Sequence, residues 1–176
     1  MAELTNTAAA VRPRGRWRIE LAIPLAIVVL DQVTKAMIRT KLPLHDSVSI
    51  IPGFLDFTHV LNTGAAFGFL NAADFPYKTT VIAVIATAAL VGVSLYSVSL
   101  SRHQVAARIG LALIVGGAAG NLVDRLMLGS VVDFVDVYWR EYHFWAFNVA
   151  DSAITIGVTI MIVDMLRSSS HVSTSV

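Results

Sequence analysis

The chain has 176 residues, of which 56% are hydrophobic and 14% charged, whereas an ordinary soluble domain carries about 25% charge; this argues against a soluble monomer and excludes disorder for the bulk of the chain. Thirteen Lys+Arg against twelve Asp+Glu leave a net charge of +1, so no basic surface for nucleic acid is implied. The lack of cysteine removes disulfide frameworks, thiolate zinc sites and a Cys nucleophile.

Four apolar stretches, about 17–38, 79–100, 108–128 and 147–166, match the roughly 20 residues of a bilayer crossing. They predict an all-α membrane domain over 17–166, a four-helix bundle with outer loops at about 39–78 and 129–146. Segments 1–16 and 167–176 are rich in Ala, Ser, Thr and Arg and read as disordered cytoplasmic tails.

Ahead of span one, Arg12, Arg14, Arg16 and Arg18 precede the apolar run 19–30, a pattern shared with secretory signals. No small-x-small pattern follows Leu30, so a retained signal-anchor helix is expected. That run covers about 18 Å at 1.5 Å per residue, short of a hydrocarbon core of about 30 Å. Asp31 and Lys35 are therefore expected within the outer part of the membrane, facing protein. They stand at i,i+4 with the acid first, the better order for a helical ion pair. These four arginines, with Arg102, Arg108 and Arg167, outnumber Arg39, Lys41, Lys78 and Arg140 by seven to four, which puts both termini in the cytoplasm.

In the first outer segment, Ser47-Val48-Ser49-Ile50 and Leu55-Asp56-Phe57-Thr58-His59-Val60 alternate around Pro52-Gly53, predicting a hairpin and hence a small β-containing outer cap. Asn62-Thr63-Gly64-Ala65-Ala66-Phe67 follows, its Asn62 and Gly64 suited to a turn. Span three carries Gly116 and Gly120, spaced for close helix packing. It then places Asn121, Asp124 and Arg125 on one face. The second outer segment sets Asp133 inside Val131-Val132-Asp133-Phe134-Val135-Asp136 and then gathers Tyr138, Trp139, Tyr142, Phe144, Trp145 and Phe147, a composition that suits a membrane interface. Span four opens with Asn148, Asp151, Ser152 and Thr155 as a polar stripe.

Ionisable groups at membrane depth are expensive, about 2.5–3.5 kcal/mol each on insertion scales. Here Asp124, Asp133, Asp136 and Asp151 fall at one outer level, with Asp31 approaching from span one. If Asp133 and Asp151 meet, they share a proton; such a pair can activate water with one member and protonate a carbonyl with the other. By position Asp124 is an equally good partner. Arg125 suits either an ion pair with Asp124 or a substrate carbonyl. No His-Glu-x-x-His or Gly-x-Ser-x-Gly motif is present. His103 falls on the cytoplasmic side, away from Ser130 and Ser152, and His143 sits among interfacial aromatics. An acidic cluster also suits Mg²⁺ or Ca²⁺, without specific support from spacing. No metal or cofactor is expected.

Taken in order, Asp31-Gln32-Val33-Thr34-Lys35, Asn62-Thr63-Gly64-Ala65-Ala66-Phe67, Gly120-Asn121-Leu122-Val123-Asp124-Arg125, Val131-Val132-Asp133-Phe134 and Phe147-Asn148-Val149-Ala150-Asp151-Ser152 resemble the bacterial lipoprotein signal peptidases, the signal peptidase II family. The resemblance implies an aspartic endopeptidase of the cytoplasmic membrane with its site at the outer leaflet. Its substrates would be diacylglyceryl-modified prolipoproteins, cut before the lipidated cysteine of the lipobox. It assigns the catalytic dyad to Asp133 and Asp151 and makes Asp124 a supporting residue. Asn62, Asn121, Arg125 and Asn148 would line the polar site beside Gly64, while Asp31 and Lys35 would stabilise the site or the fold. Substrate and membrane lipid are the implied partners, with no nucleic acid and no obligate protein partner. Competing readings are a small cation-binding transporter or channel subunit using the same aspartates, and a structural subunit whose polar stripes bind partner helices.

Overall fold

The computed structural model describes residues 17–64, 75–101 and 103–172. Their order is α1 (Trp17–Lys41), β1 (Ser47–Ile51), β2 (Leu55–Asn62), α2 (Lys78–Ser99), α3 (Val105–Leu128), β3 (Val131–Trp139), β4 (Tyr142–His143) and α4 (Val149–Val172). All four helices are long and apolar enough to cross a membrane. The sequence-based spans lie within three residues of these helices except at the last end. There the helix runs on through Val172, so part of the expected C-terminal tail is helical. Adding a residue to an existing helix gains a hydrogen bond without a new nucleus, and that favours continuation. Segment 1–16 and positions 173–176 lie outside the described residues.

The bundle is built around α3, more than half of which is buried, while each other helix buries less than a fifth of its span. Small residues make this possible. A methyl group at Gly157 of α4 would lie 2.5 Å from the Gly110 carbonyl oxygen, and one at Gly116 would lie 2.9 Å from Pro24 of α1. At Gly117 it would strike the Ala150 carbonyl oxygen. The spacing thus does the packing expected of Gly116, and Gly110, Gly117 and Gly157 extend it. The outward faces stay apolar, with Leu21, Leu25, Val84, Ile85 and Leu95 exposed, as a lipid environment requires.

The expected cap is a four-stranded sheet in the order β1-β2-β3-β4. The expected hairpin forms, with Val48 opposite Phe57. The segment joining α3 to α4 contributes more than a loop. Its β3 lies antiparallel to β2, with Val60 opposite Asp133 and Asn62 opposite Val131. Asn62 and Asp133 are thereby diagonal neighbours on one face. After β4 the chain returns along β3, where Phe147 N–H donates to Val135 O at 3.1 Å. That bridge delivers residue 148 to the side of Asp133.

Candidate active site

Helix α3 stops at Gly129, whose left-handed φ of 75° suits glycine and whose N–H donates to Arg125 O. Two residues later β3 begins, so Asp124 and Asp133 approach the site from a helix end and a strand start. Helix α4 enters from the opposite direction with Asn148 as its N-cap. Asn148 Oδ1 accepts Asp151 N–H at 3.0 Å, and Asp151 Oδ2 accepts Asn148 N–H at 3.2 Å. This is a reciprocal capping box built from Asn and Asp. The capping role and the site role of Asn148 are one arrangement.

Asp133 is 3% exposed. Its Oδ1 accepts Asn148 Nδ2 at 2.7 Å and its Oδ2 accepts Asn62 Nδ2 at 3.1 Å. Asp151 Oδ1 accepts Asn121 Nδ2 at 2.8 Å. Asn148 therefore touches both acids, through its side chain and its backbone. Burial pushes the Asp133 carboxyl up to about 7, with the charge of Asp151 adding to the rise. The amide donors of Asn62 and Asn148 and the charge of Lys35 oppose it.

The three amides cannot be turned around. Asn148 Oδ1 faces a backbone N–H, Asn62 Oδ1 accepts Gly64 N–H at 2.9 Å, and Asn121 Oδ1 accepts Lys35 Nζ at 2.9 Å. Each of those partners can only donate, so each NH₂ end must face an acid. Arg125 donates to Asn121 O at 3.2 Å and to Gly64 O at 3.0 Å, tying segment 62–64 to α3. Its cation lies within electrostatic reach of Asp151, Asp133 and Asp124. Ala65, Ala66 and Phe67 lie outside the described residues.

Asp124 has other business. It accepts Lys35 Nζ at 3.1 Å, Gln32 Nε2 at 2.9 Å and Val132 N–H at 3.1 Å. Asp31, with no exposed surface, accepts Lys35 Nζ at 2.8 Å and the Ala150 N–H of α4 at 3.0 Å. An anion there meets one of the free N–H groups at the start of α4. Asp31 and Lys35 face protein, as the shortness of the apolar run required.

Two expectations need correction. Asp136 does not join the cluster: it stands three residues from Asp133, on the other face of β3, and pairs with His143 Nδ1 at 2.8 Å. Of the polar stripe on α4, Asn148 and Asp151 reach the site. Ser152 Oγ instead donates to Asn148 O at 3.0 Å, and Thr155 is exposed. Sequence reasoning gave Gln32 no role, yet it donates to Asp124, Asp31 and Gly120 O; its place one residue after Asp31 was the available signal. It also missed Glu20, which receives Arg108 of α3 at 2.6 Å at the far end of the bundle.

A sequence model of the signal peptidase II family matches residues 23–167. The chain belongs to this family. A lipoprotein signal peptidase of Geobacter sulfurreducens is 46% identical over 151 residues, covering 86% of this chain and 93% of its own. One of Solibacter usitatus is 42% identical over 155 residues, covering 88% and 94%. A bacterial membrane enzyme solved by the in meso method at 2.3 Å resolution superposes with a TM-score of 0.78 at 35% identity, over 86% of this chain and 90% of that one. The residues just described lie within the matched region, apart from Glu20. As a signal peptidase II, the chain is a multi-pass bacterial membrane peptidase, mostly helical, with a small sheet.

Proposed function

We propose that this peptidase removes the signal peptide of diacylglyceryl-modified prolipoproteins by cutting before the lipidated lipobox cysteine, with Asp133 and Asp151 as an aspartic dyad. The observation that carries the reading is the double hold of Asn148 on two acids from different elements. Asp124 and Asp31, by contrast, are ion-paired to Lys35.

The pair holds one proton between its two carboxyls, a property of the pair and not of either member. The ionised carboxyl takes a proton from a water molecule as its oxygen adds to the scissile carbonyl carbon. The protonated carboxyl gives its proton to the carbonyl oxygen. The carboxyl that took water's proton then gives it to the amide nitrogen while the other carboxylate takes a proton back from a diol hydroxyl, so the C–N bond breaks and the pair again holds one proton. All four carboxyl oxygens already accept one donor, which fixes their planes and leaves their second lone pairs for water and proton.

Both termini are assigned to the cytoplasm by the basic residues, and the site to the outer leaflet. A lipid-anchored substrate diffusing in the membrane would present its scissile bond at that depth. Asp133→Asn and Asp151→Asn are each expected to insert and fold yet lose about 10²–10⁴-fold in cleavage rate, so that uncut prolipoprotein accumulates. Normal processing by either variant would defeat the assignment.

A further inference from the structure

Lys35 is fully buried, and its ammonium spends all three hydrogens: on Asp31 Oδ2 at 2.8 Å, Asp124 Oδ2 at 3.1 Å and Asn121 Oδ1 at 2.9 Å. Two of these neutralise carboxylates. The third goes to an uncharged amide whose other end donates to Asp151 at 2.8 Å. We propose that Lys35 is a positioning residue for hydrolysis, holding the Asn121 amide with its NH₂ toward Asp151. This rests on the dyad reading.

An amide is a two-ended switch. Turned over, Asn121 would present its carbonyl oxygen to an Asp151 oxygen, replacing a hydrogen bond by a repulsive contact in a site shielded from water. Only a donor on the far side forbids that. Asn148 Nδ2 also reaches Asn121 Oδ1, at 3.2 Å, but its two hydrogens are shared with Asp133 at 2.7 Å and Val132 O at 3.3 Å. The shorter, charge-assisted bond from Lys35 is the stronger constraint. It reaches Asp151, on α4, from α1 by way of one side chain on α3.

The test is a double-mutant cycle on the purified full-length enzyme in detergent, with a diacylglyceryl-modified prolipoprotein as substrate and rates expressed per folded protein. Lys35→Met is expected to lower kcat about 100-fold, the scale of a small misplacement of a reacting group, with KM within about threefold of wild type because ground-state binding is untouched. Lys35→Met/Asn121→Ala is expected to be no slower than Asn121→Ala, since one acts through the other. A purely structural lysine would lower the yield of folded protein and leave kcat alone. An unchanged kcat, or losses that multiply in the double variant, overturns the proposal. Should Lys35→Met not fold, because Asp31 and Asp124 lose their cation, the whole cycle is run in an Asp124→Asn background, with Asp124→Asn as its reference and the same two outcomes. Asp151→Asn separates the two readings. If it cleaves normally, the dyad falls and the positioning role with it; if it is inactive while the cycle shows no coupling, only the role of Lys35 falls.

Discussion

At position 148 one side chain serves two elements, its Oδ1 capping α4 and its Nδ2 holding Asp133. Asn148→Ala is expected to lose about 1 kcal/mol of stability from the cap alone, seen as a lower unfolding midpoint in detergent. Asn148→Ser restores a capping oxygen but not the longer amide whose NH₂ reaches Asp133, so it should recover much of that midpoint and still cleave about 100-fold slowly. The Asp133 carboxyl, raised from 3.8 to about 7 chiefly by burial, gives two signs to check. The proposed dyad mechanism needs the shared proton, so kcat/KM is expected to fall on the alkaline side with an apparent pKa near 7 that belongs to the pair. The folded-state value also lies above the unfolded one. Between about pH 4 and 7 the unfolded chain therefore binds fewer protons at this group, and its contribution to stability declines as pH rises through that window. The unfolding midpoint of Asp133→Asn should fall less over the same window, and an identical slope would contradict the shift. At this scale much was legible, because a polar residue inside an apolar stretch is conspicuous. Asp136 was misplaced because its face depends on strand parity, which is blurred where apolar residues occupy both faces, as at Val131, Val132 and Phe134.

Among the elements, α3 carries the tightest constraints. A methyl group at Gly120 would lie 2.7 Å from Asp31 Oδ2, so Gly120→Ala is expected to cost about 1–3 kcal/mol in overpacking and to slow cleavage by shifting the carboxylate that receives Lys35 and Ala150 N–H. Gly129→Ala meets no neighbour but keeps a φ of 75°, so a loss of about 1 kcal/mol from the left-handed backbone alone is expected in the unfolding midpoint. Helices were readable to within a few residues because length and hydropathy define them locally. Strand β3 was not, since its identity comes from β2, some 75 residues earlier, opposite which it places Asp133. That pairing also bears on how the hairpin is probed. Removing residues 47–60 would strip β3 of its partner, whereas Ile50 and Phe54 are exposed toward the tip. If the exposed tip of this hairpin touches bound substrate, Ile50→Ser/Phe54→Ser should raise KM several-fold with little change in kcat; an unchanged KM would exclude that contact.

Taken whole, the molecule is apolar toward its surroundings and polar within. Its described buried charges fall into two groups: Glu20 with Arg108 at one end, and the Lys35 network with the candidate dyad at the other. The scarcity of charge in the composition foretold a membrane body. It did not foretell that one cation on α1 would join α3 and, through Ala150 and Asp31, α4. That linkage has a bearing on biosynthesis. Both proposed catalytic acids come late in the chain, at 133 and 151, and the cap that orders them forms only when α4 begins. A chain leaving the ribosome would carry its scaffold of three spans into the bilayer without any means of hydrolysis. Proteolytic competence would arrive with the final helix, and a product truncated before it would be inert.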